Sequence, residues 1–161
     1  MTNRKLTFIS FEPVQGHFRG LLSLDGILSK SWDAEKITSQ AATVYENHIA
    51  KMRQVFAEIY GLRKARRLTP ARKVWEMGDY IFALRNSLDS MSLEIDSIYH
   101  HLERDLGAKR KWLEKAIILR RYVHRADMIP EDLNWGRLEK GTRKAAEMIS
   151  KGLALPKRGR K

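Results

Sequence analysis

Apolar residues recur at intervals of three and four along most of this chain, and this period constrains its fold more than any other feature of the sequence. Such spacing places apolar side chains on one face of an α-helix, and that face has to be covered by another element. The longest pattern extends from Ala34 to Tyr60, and Gly61 predicts its end. The positions on this face are Ile37, Ala41, Val44, His48, Met52, Val55 and Ile59.

Four more segments have the same period and carry helix-start or helix-end signals. Thr69 and Pro70 suit the cap and the first residue of a second helix, which is expected to end near Ser90. The other three helices are predicted from Ser92 to Gly107, from about Lys109 through Tyr122, and from Trp135 to Lys151. Together the segments predict an all-α fold, a five-helix bundle.

The two ends of the chain lack this period. Leu6 to Phe11 is a short strand-like run, after which one proline and three glycines interrupt any regular pattern. Residues 1–33 are therefore predicted to form an irregular N-terminal arm, and residues 153–161 a basic C-terminal tail. The helical domain is predicted to occupy residues 34–152.

Positive charge is concentrated in the second part of the chain. Of the 161 residues, 31 are Lys or Arg and 19 are Asp or Glu, which gives a formal net charge of +12. A division after Leu62 leaves 7 basic and 6 acidic residues before it, and 24 basic and 13 acidic residues after it. An excess of this size and location predicts a polyanionic partner.

Several functional classes are excluded by residues that the sequence lacks. It contains no cysteine, so disulfides, thiolate zinc sites and a cysteine nucleophile cannot form. No two histidines have the i, i+4 spacing of a helical zinc site, and glycine-rich phosphate loops and the nucleophile elbow are absent. No apolar run is long enough to span a bilayer, and no signal peptide is evident. We therefore expect a cytoplasmic, non-enzymatic protein without metal or cofactor and without a membrane partner.

A glycine corner between two of the predicted helices resembles the turn of helix-turn-helix DNA-binding proteins. The corner is Leu106-Gly107-Ala108, and the positions that would pack the two helices are apolar. These positions are Leu102, Leu106, Ala108, Leu113 and Ala116. The sequence departs from the resemblance at Glu103, where the family generally has a small residue. The resemblance implies that the helix after Gly107 lies in the major groove of DNA.

Basic residues occupy the outward positions of that second helix. Lys109, Arg110, Lys111 and Lys115 are the predicted contact set, with Arg110 as the candidate for reading a base edge. Arg120 and Arg121 are predicted to contact the phosphate backbone. A charged, solvated helix face in a bundle is the alternative interpretation of this segment.

Three further basic clusters are predicted to contribute phosphate contacts. The first is a linker with Arg63, Lys64, Arg66 and Arg67, and the second is a stripe on the fifth helix with Arg137, Lys140, Arg143 and Lys144. The third is the tail, in which Lys157 and Arg158, with Arg160 and Lys161 behind them, could enter a minor groove. Ordinary solvent exposure remains the alternative for the linker and for the tail.

A second, wider resemblance involves four separate stretches. They are Trp75 to Ile81, His101 to Gly107, Trp112-Leu113 and Leu133 to Trp135. In this order they look like the helical domains that precede nuclease domains in some restriction-type and mobile-element proteins. This resemblance implies a DNA-recognition or accessory role in genome defence or element mobility.

The sequence thus predicts a non-catalytic helix-turn-helix protein that binds double-stranded DNA, either as a regulator or as an accessory subunit of a defence or mobile-element complex. An RNA-binding ribonucleoprotein subunit and a protein-interaction scaffold are the alternatives. A protein partner or a homodimer is also expected, since the apolar stripe from Ala34 to Tyr60 could form a dimer interface. Packing of that stripe on the second helix is the competing interpretation.

Overall fold

The computed structural model describes residues 6–23 and 33–156. In this part of the chain the fold is α+β, with five α-helices and one three-stranded sheet. The strands are β1 (Thr7–Val14), β2 (His17–Leu22) and β3 (Leu93–Ile95). The helices are α1 (Ala34–Lys64), α2 (Ala71–Asp89), α3 (Ile98–Leu106), α4 (Arg110–Tyr122) and α5 (Thr142–Ser150), with short 3-10 helices at Ala126–Met128 and Trp135–Arg137.

The predicted all-α bundle is therefore wrong, and so is the irregular N-terminal arm. Strands β1 and β2 form an antiparallel hairpin in which Val14 pairs with His17. The two turn residues, Gln15 and Gly16, have φ of 47° and 84°, the backbone geometry that a tight hairpin with right-handed strand twist requires. Pro13 is tolerated in β1 because β3 pairs only with the first three residues of that strand.

The third strand replaces the predicted start of the third helix. Leu93 and Ile95 are buried on either side of exposed Glu94, which is the two-residue period of a strand. They pair in parallel with β1, so the sheet order is β2-β1-β3. Ser92 and Ser97 have φ of 60° and 59°, and these left-handed residues separate β3 from α2 and α3.

Helix boundaries were predicted unevenly. Helices α2 and α4 lie where the pattern placed them, whereas α1 continues through Gly61 to Lys64. The predicted fifth helix is wrong in its first part, because Trp135 starts a single 3-10 turn and α5 begins only at Thr142. The backbone near Trp135 is held instead by a hydrogen bond from its N–H to the carbonyl of Thr69, 2.7 Å.

The chain divides into two compact units. We call residues 1–51 with 81–108 the sheet unit, and residues 52–80 with 109–161 the basic unit. The sheet unit has 8 Lys and Arg against 10 Asp and Glu, a net charge of −2. The basic unit has 23 against 9, a net charge of +14. The division into units therefore separates the charge more completely than any single cut in the sequence.

Aromatic rings form the centre of the sheet unit. Phe11 of β1 stacks on Tyr45 of α1, with ring centroids 4.3 Å apart, and Phe18 of β2 meets the Tyr45 ring edge-on at 5.0 Å. Gly20 of β2 brings the hairpin backbone against α1, since a Cβ there would lie 2.9 Å from the carbonyl oxygen of Thr38. The hairpin and α1 thus share one core.

A buried polar network fixes α3 to this core. The Asp105 carboxylate accepts a hydrogen bond from the Tyr45 hydroxyl, and it accepts two from Arg104, at 2.8 and 2.9 Å. Arg104 also donates to the carbonyl oxygen of Phe11, 2.6 Å. Burial, followed by the adjacent Asp105 carboxylate, raises the pKa of Tyr45 above its ordinary value, so this hydroxyl remains a donor.

His101 completes the network as a neutral acceptor. Its Nε2 accepts from the backbone N–H of Phe11 at 2.9 Å, and its Nδ1 lies 3.1 Å from the carbonyl oxygen of Ser97. An acceptor at Nε2 and a donor at Nδ1 define the neutral imidazole. Burial lowers the pKa of His101 below its ordinary value of 6.5, and the positive charge of Arg104 acts in the same direction.

We expect the free energy of unfolding to decrease as the pH falls below 6.5. The unfolded chain binds a proton at His101 from that pH downward, whereas the folded chain does so only at the lower pKa, so acid favours unfolding. Urea unfolding at a series of pH values between about 7.5 and 5 would measure the slope. His101→Gln should flatten it and the exposed His100→Gln should not; equal slopes in the two variants would contradict the assignment.

Candidate nucleic-acid interface

Helix α4 has cationic residues on its exposed side and apolar residues on its buried side. Leu113, Ala116, Ile117 and Leu119 are buried, and they lie on one face of the helix. The predicted contact residues Lys109, Arg110 and Lys111 are exposed at its N-terminal end, as is Arg121 near its C-terminal end. Arg110 forms an exposed ion pair with Glu114, 2.9 Å.

Arg120 lies on the packed side of α4. It follows Ala116 by four residues and Leu113 by seven, which is the spacing of a single helix face. Its Nε lies 2.8 Å from a carboxylate oxygen of Asp79, and its guanidinium lies 5.4 Å from the centre of the Trp75 ring. Its side chain is only 22% exposed. We therefore assign Arg120 to the packing of α2 on α4 and leave it out of the interface.

A close helix crossing positions α4 in the basic unit. A Cβ on Gly78 of α2 would lie 2.3 Å from the carbonyl oxygen of Ala116, so the two backbones approach at a point that has no room for a side chain. The Trp75 indole N–H donates to the carbonyl of Val123, 2.7 Å. Phe56 of α1 contacts Trp112 edge-on, with ring centroids 5.7 Å apart. These contacts fix α4 on its buried face.

A groove between α4 and α5 brings two of the predicted clusters together. We call it the basic groove; Lys115 and Ile118 line it from α4, and the chain around the start of α5 lines the other side. Those residues are Glu139, Lys140, Gly141, Thr142, Arg143, Lys144 and Glu147. Arg143 pairs with Glu147 at 3.5 Å. The three lysines of the groove, Lys115, Lys140 and Lys144, then outnumber its one other carboxylate, Glu139, and leave a net charge of +2.

Arg137 does not belong to this groove. It donates to the carbonyl oxygen of Pro156, 2.7 Å, and borders two other grooves of the basic unit. The predicted stripe is therefore divided because the chain between Arg137 and α5 is not helical. Lys157 and Arg158 lie outside the described residues, as do Arg160 and Lys161.

The cluster that was predicted as a linker is partly helical. Arg63 and Lys64 form the last turn of α1, and Arg66 and Arg67 follow it; all four are exposed. Beside them lie two apolar side chains that the sequence reasoning missed, Tyr60 at 60% exposure and Leu68 at 70%. The basic run after Tyr60 was visible in the sequence, but the exposure of these two side chains depends on tertiary contacts and was not. We call residues 60–68 the basic corner.

The glycine corner of the resemblance has the expected backbone. Gly107 has φ of 74° and its N–H donates to the carbonyl of Glu103, which ends α3, and α4 starts three residues later. Glu103, the point of departure from the family, is exposed. The division between units falls between Ala108 and Lys109, so α3 belongs to the sheet unit and α4 to the basic unit. Packing of the two helices as a helix-turn-helix stays a prediction.

Most of the apolar stripe of α1 is taken up by the fold. Ala41, Met52, Val55 and Ile59 are each at most 3% exposed in the single chain. The stripe therefore packs within the chain, as the alternative interpretation predicted. A homodimer interface would have to use another surface.

Comparison of the chain with protein-family models, with curated proteins and with solved structures found no match. Within residues 6–23 and 33–156, no helix has the length and apolar character needed to cross a bilayer. In the same described ranges, no three His, Asp or Glu side chains cluster in a way that could hold a metal ion.

Proposed function

We propose that the basic unit binds duplex DNA, with no catalytic step, through the N-terminal end of α4 and the basic groove. The observation that supports this most strongly is that residues 52–80 with 109–161 have a net charge of +14, whereas residues 1–51 with 81–108 have a net charge of −2. A DNA duplex carries a phosphate about every 1.7 Å along its axis, so an extended basic surface gains from each condensed counterion that it releases.

The residues divide by the contact that each can make. Lys109 and Lys111 are exposed point charges suited to phosphate, and Lys115, Lys140 and Lys144 line the basic groove. Arg110 can offer two parallel N–H donors to the edge of a guanine. Its pairing with Glu114 is exposed, and such ion pairs contribute only about 0–1 kcal/mol, so Arg110 can exchange partners on binding.

In this proposal α4 is the helix that enters the major groove, and Gly107 sets its start. A chain of this kind would act as a regulator or as an accessory subunit that brings a larger assembly to DNA. This role follows from the two resemblances in the sequence, and it needs no chemistry from the chain itself.

Two double variants test the surface. Lys109→Ala with Lys111→Ala, and Lys140→Ala with Lys144→Ala, should each weaken duplex binding roughly tenfold near physiological salt. Each should also make the slope of log affinity against log salt shallower by about two, since each lost phosphate contact contributes nearly one. Fluorescence anisotropy over a range of salt concentrations measures both quantities.

Lys36→Ala with Lys51→Ala is the matched control. It removes the same charge from exposed positions of α1 in the sheet unit. We expect the affinity and the slope of this variant to stay close to those of the unaltered chain. If all three double variants behave alike, the chain responds to its overall charge and the proposed surface is wrong.

RNA is the alternative ligand, because a cytoplasmic protein with this charge would meet it as well. Competition between a DNA duplex and an RNA hairpin of equal phosphate number, at fixed salt, separates the two. Preferential displacement by the hairpin would replace DNA by RNA in the proposal. A complex in cell extract that persists after nuclease treatment would instead favour a protein partner.

A further inference from the structure

Tyr60 differs from the other aromatic residues of the basic unit in its exposure. It is 60% exposed, whereas Phe56, Trp75, Trp112 and the remaining described aromatics of that unit are buried or half-buried. A large ring at such exposure contributes little to the core. Single exposed apolar residues are common on protein surfaces, so the meaning of this ring depends on its surroundings.

The surroundings of Tyr60 are cationic. Lys64, one helical turn further, places its Nζ 5.9 Å from the ring centroid, and Arg63 is an exposed neighbour on the same turn. Ala57 lies one turn earlier, is exposed, and carries only a methyl group. Positive groups thus flank the ring on its C-terminal side, and a small residue leaves room on its N-terminal side. Cations around an exposed ring are typical of proteins that hold unpaired nucleotides.

A contact of α1 joins the turn before Tyr60 to the first turn of α4. Phe56 meets Trp112 in the first turn of α4, next to Lys111. Tyr60 follows Phe56 by four residues, which is one turn, about 6 Å, along the same side of α1. Tyr60 therefore lies one helical turn from the contact that α1 makes with the first turn of α4.

We propose that Tyr60 stacks on an unpaired base, and that the ligand of this surface is a nucleic acid in which unpaired nucleotides adjoin a duplex. This inference rests on the proposed function and narrows its ligand class. Phosphates of the unpaired strand would lie against Arg63, Lys64, Arg66 and Arg67. Stacking requires a ring face and no particular base, so the preference is for unpaired structure and not for sequence.

Three oligonucleotides separate stacking from charge. They are a blunt duplex of about 16 base pairs, the same duplex with a single-stranded end of about five thymidines, and the same duplex with an end of about five abasic sites. The abasic end adds equal phosphate charge but no ring. The thymidine end should tighten binding about five- to 150-fold relative to the abasic end, the range that stacking of one base on an aromatic side chain provides.

Tyr60→Ala should abolish this preference and leave the affinity for the blunt duplex unchanged, whereas Tyr60→Phe should retain it. Arg63→Ala is the charge control, and it should weaken binding to both extended duplexes equally. The melting temperature of Tyr60→Ala checks its fold, because an exposed side chain can be removed with little effect on stability.

The possible results distinguish failure of the stacking role from failure of the proposed function. Equal binding of thymidine and abasic ends by the unaltered chain overturns the stacking role while the proposed function stands. A preference that survives in Tyr60→Ala overturns it as well. If the unaltered chain binds none of the three oligonucleotides, the proposed function itself is wrong.

Discussion

Gly78→Ala should lower the free energy of unfolding by about 3 kcal/mol, an effect at the upper end of what overpacking a core by one carbon causes. The added Cβ would lie 2.3 Å from the carbonyl oxygen of Ala116 and 2.9 Å from the Cβ of Arg120. Both obstacles are parts of α4 that cannot rotate aside. Relief requires α2 and α4 to move apart, which also weakens the ion pair of Asp79 with Arg120.

Gly61→Ala is the matched control, because Gly61 is exposed within α1 and a Cβ there meets nothing within 4 Å. Alanine favours a helix over glycine by up to about 1 kcal/mol, so this variant should be stabilised. Urea unfolding of both variants gives the comparison. Gly78→Ala with a stability equal to or above that of the unaltered chain would contradict the close crossing.

Asp105→Ala should cost about 3 kcal/mol of unfolding free energy. The substitution leaves the Tyr45 hydroxyl buried without its acceptor, and it removes the carboxylate that holds Arg104 against the carbonyl of Phe11. The Asp105 side chain is 3% exposed, and water can replace little of what is lost. The Arg104 side chain is 32% exposed, so part of its charge remains hydrated and limits the effect.

Two further variants make this prediction specific. Glu114→Ala removes the carboxylate of an exposed pair with Arg110 and should change stability by less than about 1 kcal/mol. Tyr45→Phe combined with Asp105→Ala gives a double-mutant cycle, in which the two losses should be less than additive because they share one hydrogen bond. Strict additivity would mean that the network does not act as a unit.

The helices that could be predicted are those with an unbroken period and distinct ends. Pro70 marks the start of α2 and Gly107 the corner before α4, and local sequence decides both. The sheet was only partly predictable this way, because the strand-like run from Leu6 to Phe11 falls on β1 while β2 and β3 were not predicted. Leu93 and Ile95 are two residues apart, but a three-residue strand is too short to have a visible period, and its pairing with β1 joins positions more than eighty residues apart in sequence.

The candidate interface was only partly predictable, because helical phase is local whereas some exposures depend on tertiary contacts. Removal of the apolar positions from α4 identified Lys109 and Lys111, since exposure follows from helical phase. The same phase places Arg120 on the packed face of α4, where it forms an ion pair with Asp79, a residue distant in sequence. Tyr60 was missed because its exposure depends on tertiary contacts, and an aromatic residue within a helix ordinarily predicts core.

Gly20 and Gly78 are positions at which related sequences should be recognisable. Neither Gly20 nor Gly78 has a positive φ, so proximity of a neighbouring backbone, and not a turn, demands glycine at both positions. Any descendant of the same ancestor should keep glycine at these two positions, even where the charged residues of its surface have been substituted. These two sites, spaced 58 residues apart, offer anchor points for aligning sequences too divergent for their apolar patterns to be matched.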